Sequence, residues 1–219
     1  MIRNVLAAWT ALAVYGFALG IAHSATYAVR NVLKFPLLVT VTAVVCSLSW
    51  WILARAVGAP LSFVAVQRTA WRMFRDLGFL LASLSPIVLF FALVMRATDD
   101  GVLGEYDRFL ALNIVLIAVS GVVALARGAR ALFVEHALAP ARVVVVMLAW
   151  LAVSATVGGQ AAFFMRPFFG FPATRGGNPP FFLGAAPDLR GATNFFEAVQ
   201  QTISRPPLPE SLRPPDPVR

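Results

Sequence analysis

The chain has 219 residues, 59% of them hydrophobic and only 13% charged, where an ordinary soluble domain carries roughly a quarter charged residues. That shortage, with a mean hydropathy of +0.78, excludes an ordinary water-soluble globule and points to segments from which a bilayer core bars charge. The net charge of +8 falls on arginines set between apolar runs. No RNA-binding signature or Cys/His finger spacing accompanies it, so nucleic acid is not an expected partner.

The first apolar run, residues 5–22, follows Arg3 and predicts a transmembrane helix. Read instead as a signal peptide, it would have Arg3 in its n-region and Ala22-His23-Ser24 as its cleavage site. The run is long for that role and contains Trp9, Tyr15 and Gly16. Gly16 and Gly20, four apart, let two helix backbones approach closely, inside a bundle or across a dimer contact. The second run is 36–54, with Pro36 suited to a first helical turn and Trp50 and Trp51 near its far end, where an aromatic belt falls. It holds the single cysteine, Cys46, which excludes an intrachain disulfide or a cysteine-based zinc site. Cys46 reads as a small lipid- or helix-facing residue.

Residues 61–77 predict an amphipathic helix. Arg68, Arg72 and Arg75 share one face, and Phe63, Val66, Ala70, Met73, Phe74 and Leu77 cluster on the other. That pattern fits a helix lying at the membrane surface with its apolar side in the acyl boundary. It also fits a cytoplasmic helix packed on the bundle with its arginine face solvated. The third span, 78–95, has Pro86 in its middle, a kink that helix neighbours can tolerate. Ser83 and Ser85 are placed to satisfy the freed carbonyl.

A polar loop, 96–108, carries Asp99, Asp100, Glu105 and Asp107. It lacks the twelve-residue calcium-loop pattern and reads as a solvated turn. The fourth span is 109–126, with Asn113 its one strongly polar residue. A loop over 127–142 carries Arg127, Arg130, Glu135, His136 and Arg142, and the fifth span is 143–162. Residues 163–204 mix phenylalanine pairs with Gly and Pro, and 192–204 suit a short amphipathic helix. Residues 205–219 are proline-dense and read as polyproline-like or disordered.

The fold class is therefore an all-α integral membrane bundle of about five transmembrane helices. It has one amphipathic interfacial helix and an irregular C-terminal tail. The membrane domain covers 1–162, an aromatic interfacial or external segment 163–204, and the tail 205–219. Arg55, Arg68, Arg72 and Arg75 lie in one loop and Arg127, Arg130 and Arg142 in another on the same side. The positive-inside rule puts these and the N-terminus in the cytoplasm and the acidic loop and tail outside. Arg30 and Lys34 oppose this weakly, because their short loop would be external.

The stretch GAPLSFVAVQRTAWRMFRDLGFLLASLSPIVLFFAL, residues 58–93, resembles the membrane domain of the Yip family of Rab-interacting multi-pass proteins. The elements that match are Gly58, Ser62-Phe63 and Ser85-Pro86. The resemblance implies a helix number like this one and a cytoplasmic N-terminus. Residues 158–170, GGQAAFFMRPFFG, resemble a pattern in bacterial multi-pass proteins, and the Ala-, Val- and Arg-rich composition fits a high-GC bacterium, so a bacterial inner membrane is the expected location.

The strongest local cluster is Gln160, Arg166, Pro167, Phe168 and Phe169. An Arg among phenylalanines at the interface can stack, pair with lipid phosphate, or bond carbonyls at a helix end. The cluster reads as a docking or lid element over the bundle, or as an interfacial anchor. His23 and His136 lie far apart with no Cys or nucleophile beside them. No phosphate loop, HExxH or GxSxG occurs, so no catalytic residue, metal site or cofactor is expected. The five spans as drawn hold no charged residue, which argues against an ion-coupled carrier. The expected function is a non-enzymatic structural, assembly or membrane-organising component. Its partners are the lipid bilayer and a membrane protein or a second copy. A membrane subunit of a transport system, or a neutral-solute or lipid pathway, is the competing reading.

Overall fold

A segment surrounded by hydrocarbon has no water to bond its N–H and C=O groups, so each apolar run closes its own bonds as a helix. The computed structural model describes residues 2–97, 103–168, 180–184, 186 and 191–204. Five of its helices are long and apolar enough to cross a membrane: α1 (Ile2–Gly20), α2 (Ala25–Ala56), α3 (Phe63–Ala97), α4 (Leu103–His136) and α5 (Pro140–Phe164). A short α6, Phe195–Ser204, follows. The chain is an all-α, multi-pass integral membrane protein, without strands among the described residues.

Three helices outrun the apolar stretches that announce them. α2 starts at Ala25, where Ser24 caps it by accepting the Tyr27 N–H at 3.3 Å. Pro36 therefore lies inside the helix and is buried, not in its first turn. Arg30 and Lys34 belong to α2 instead of a loop, and the connection from α1 is only residues 21–24. Residues 61–77 and 78–95 form no separate elements: α3 runs unbroken from Phe63 to Ala97. Nothing between Leu77 and Gly78 breaks a helix, and the apolar face of the first half, with Val66, Ala70 and Trp71 buried, turns onto α2, α4 and α5. α4 extends the fourth span at both ends, from Leu103 to His136. Residues 137–139 alone then separate it from α5, whose Pro140 takes the first helical turn. Asp99 and Asp100 lie outside the described residues, as do 205–219.

α2, α3 and α4 have 32, 35 and 34 residues. At about 1.5 Å per residue they are roughly 48–52 Å long, against about 30 Å of hydrocarbon. They therefore project. The projecting start of α3 and end of α4 meet at one end of the bundle, termed the arginine end here, where Arg72 pairs with Glu135 at 2.6 Å. The N-terminus of α1 belongs to the same end, since Arg75 donates to the Asn4 side-chain oxygen at 3.2 Å.

α1 sits between α2 and α3, α3 also packs on α4, and α2 on α5. Close approach depends on Gly16 and Gly20, both turned onto α2. A Cβ on Gly20 would stand 2.6 Å from the Ala28 Cα, and one on Gly16 would press on the Asn31 carbonyl and on the Phe35 Cβ at 3.1 Å. Gly78 of α3 faces Ala8, Ala11 and Leu12 of α1 in the same way. Two apolar clusters fill the interior. One, nearer the arginine end, joins Trp50, Trp71, Leu132, Val146 and Trp150. The other joins Leu12, Tyr15, Phe35, Leu81 and Val88. Cys46 is fully buried between α2 and α5, its sulfur 3.9 Å from the Val153 carbonyl.

Pro86 is an exposed residue of α3. The carbonyl it leaves is that of Ala82, four residues earlier. Ser83 donates to Leu80 and Ser85 to Leu81, so neither hydroxyl serves that carbonyl.

Replacing Gly20 by Val is expected to destabilise the α1–α2 contact by roughly 1–3 kcal/mol, the usual cost of overpacking. Gly121→Val is the control, because a Cβ there meets nothing within 4 Å. Thermal unfolding in detergent should show a lowered midpoint for the first variant only; equal midpoints would contradict the packing.

Candidate functional site

Two polar clusters stand at opposite ends of the bundle. The first grows from a row of residues on α2, Tyr27, Asn31 and Lys34, three or four apart and so on one helix face. All three are buried, Lys34 to 1% exposure. Gly20 faces Ala28 and Tyr15 stacks edge-on with Phe35 at 5.3 Å. Lys34, six residues past Ala28, is therefore about 9 Å deeper than the end of α1. The spans as drawn from sequence held no charge; the structure corrects this, because α2 starts early enough to carry Lys34 into the bundle.

An ammonium there requires protein around it. α5 ends at Phe164, and the chain turns across the end of the helices. The Lys34 amine donates to the Pro167 carbonyl at 2.8 Å, and Asn31 donates its side-chain N–H to the Phe168 carbonyl. The rings of Phe168, Phe181 and Phe182 stand 5.7, 5.0 and 5.6 Å from the amine, within reach of cation–π attraction. The Asn31 side-chain oxygen is buried without a partner. Residues 180–184 return alongside the helix end: Leu183 donates to the Arg166 carbonyl at 2.8 Å and Gly184 to that of Phe164 at 3.0 Å.

Arg166 lies over the Phe163 ring at 3.5 Å and donates to the Phe163 and Ala186 carbonyls, each at 2.7 Å. Of its three expected uses, the structure displays stacking and carbonyl bonding. Gln160 accepts the Phe195 N–H at 3.1 Å and so satisfies one of the open donors of α6. Gly159 leaves room for the Phe195 ring, whose nearest atom would stand 2.6 Å from a Cβ. Asn194 and Glu197 cap the same helix. Gln160, Arg166, Pro167 and Phe168 thus belong to one strap across the bundle end. Phe169 lies outside the described residues. Sequence reasoning missed Lys34 and Asn31, which stand beside Arg30 in a segment that read as a polar connection.

The second cluster is at the arginine end. Arg3 and Asn4 of α1 and Arg68, Arg72 and Arg75 of α3 surround an open cleft of about 550 Å³. Arg72 grips both Glu135 oxygens, at 2.6 and 2.7 Å, and Arg75 holds Asp76 at 2.7 Å. Arg3 and Arg68 make no close ion pair among the described residues, although Arg68 adds to the positive field around Glu135. A neighbouring cleft of about 400 Å³ includes Arg127, Asp76 and Glu135. The three arginines picked out by sequence spacing are brought together, and Arg3, read only as a flank of the first span, joins them.

Several interior polar groups elsewhere bond one helix to another, while the Gln67 side-chain nitrogen is buried without a partner. Tyr15 donates to the Asn113 side-chain oxygen at 2.8 Å, and Trp50 and Trp150 bond across α2 and α5. His23 stacks edge-on with Tyr27, far from His136 at the end of α4. No group of three or more His, Cys, Asp or Glu able to hold a metal occurs among the described residues. Comparison with family models, with curated proteins and with solved structures finds no match to this chain.

Lys34→Ala removes the donor on which the Pro167 carbonyl and three rings converge. Loss of a hydrogen bond from a charged group costs about 1.5–3 kcal/mol, so the strap should open roughly 10- to 100-fold more often. Chymotrypsin cleavage at Phe181 and Phe182 in nanodiscs should accelerate accordingly. An unchanged rate would mean that other contacts hold the strap.

Proposed function

We propose that the protein is a non-catalytic integral-membrane component that organises or assembles membrane-protein partners or copies of itself. Its setting in this reading is a bacterial inner membrane. The N-terminus and the arginine end are cytoplasmic, and the chain after α5 is external. The observation that carries the proposal is how the interior polar groups are used. Tyr15, Asn113, Trp50 and Trp150 bond one helix to another, and the clefts described above open at the arginine end, outside these contacts. Such an interior suits a rigid element that presents surfaces. The surface around it is apolar over long stretches, with Val29, Leu33, Val44, Val45, Leu48 and Ile52 of α2 all more than half exposed. The likeness of residues 58–93 to the Yip family fits the same proposal.

The competing reading, a subunit of a transport system, draws on Lys34, because ionisable residues at membrane depth often mark a pathway. Here the amine is covered by backbone carbonyl and phenylalanine rings, which favours a structural anchor.

Reconstituted in liposomes loaded with a neutral solute, the protein is expected to leave release at the protein-free level. In mild detergent it should purify with a defined membrane-protein partner or as a homo-oligomer. Saturable release abolished by Asn113→Leu would overturn the proposal in favour of transport. For the orientation, a reporter fused after Arg219 should be active only outside the cytoplasm, and cytoplasmic activity would reverse the assignment.

A further inference from the structure

Four guanidinium groups from two helices converge on one cleft, and their number exceeds what the nearby carboxylates can neutralise. Arg72 is committed to Glu135, and Arg75 to Asp76 and Asn4. These pairs hold both side chains in place. Arg3 and Arg68 reach the same cleft, both exposed, with no carboxylate of their own among the described residues. α1 begins here as well, with no acidic side chain in its first turn. The positive end of its dipole and its open N–H groups therefore add to the field.

The depth of the cleft narrows the ligand. One turn beyond Arg3, Leu6 is 62% exposed, and one turn beyond Arg75, Phe79 is 52% exposed. The basic groups thus stand on the rim of a lipid-facing apolar surface, at the level of phospholipid headgroups. A guanidinium binds phosphate oxygens in a planar two-pronged fashion. The four guanidiniums exceed the Glu135 and Asp76 carboxylates by two charges, which matches a doubly charged phosphate group.

We propose that Arg3, Asn4, Arg68, Arg72 and Arg75 form a binding site for a dianionic phosphate ligand, taken from the membrane as the headgroup of phosphatidic acid or cardiolipin. The site is independent of whether the bundle scaffolds or transports. Arg3 and Arg68 supply the direct contacts. Arg72 and Arg75, held by their carboxylates, shape the floor.

The test uses the full-length protein. Native mass spectrometry would follow lipid retention after mixing with phosphatidylcholine alone or with added phosphatidic acid or cardiolipin. Calorimetry with inorganic phosphate would form the second arm. The wild type should retain the dianionic lipids selectively. The double variant Arg3→Gln/Arg68→Gln should bind them at least about tenfold more weakly, the effect of losing one charged hydrogen bond. The control Arg55→Gln/Arg130→Gln removes the same charge from the arginine end outside both clefts, and should retain them. Equal losses in the two double variants would assign the attraction to diffuse surface charge and overturn the site. Phosphate binding that needs Arg3 and Arg68, without lipid retention, would support the phosphate site and give it a soluble ligand. Absence of both would overturn it.

Discussion

An ammonium group below the membrane surface has to be wrapped by protein or drawn to water, and in this chain that requirement governs how residues 165–168 and 180–184 are placed. Lys34 is carried inward because α2 starts at Ala25. α5 stops at Phe164, short of the level where α2 begins, and leaves a notch beside the amine. The chain that follows fills it with a carbonyl from Pro167 and rings from Phe168, Phe181 and Phe182. Each of these substitutes for water that the bilayer does not supply. Arg166 and Gln160 then tie the next pieces of chain back to α5 and α6.

The rest of the bundle answers the same constraint in apolar form. Lipid is as apolar as leucine, so helices gain little from burying side chains against one another and must instead fit closely. Glycines 16, 20 and 78 provide that fit around α1. The aromatic groups divide by position: Trp50, Trp71 and Trp150 fill the half toward the arginine end, and Tyr15 and Phe35 the other. Beyond the hydrocarbon, α3 and α4 continue as paired stubs. The Arg72–Glu135 pair is half exposed and contributes little stability by itself. Met73 packs against Gly128 beside it and makes the contact close.

The class of fold was legible because each span is an uninterrupted apolar run. Helix ends were not. Pro36 reads as a helix start in isolation, yet a capped turn at Ser24 and packing on α1 carry the helix through it. The arginine-rich start of α3 reads as a surface helix because its apolar face looks ready for lipid; the structure supplies Trp50 and Leu132 instead. At the strap, the phenylalanine pairs and Arg166 announced themselves by composition. Their partners Asn31 and Lys34 did not, since contacts across more than a hundred residues leave no periodic trace.

The wrapping of Lys34 also sets an order of events during synthesis. Its carbonyl partner is 133 residues downstream. At ribosomal speeds of about 5–20 residues per second, Pro167 emerges roughly 7 to 27 s after Lys34. In that interval α2 sits in the translocon or the bilayer with its amine reaching for the headgroup layer on its flexible stem. Final seating of the helix therefore awaits the late-made aromatic segment. A chain truncated after α5 would carry every span and still lack the part that lets its second helix settle.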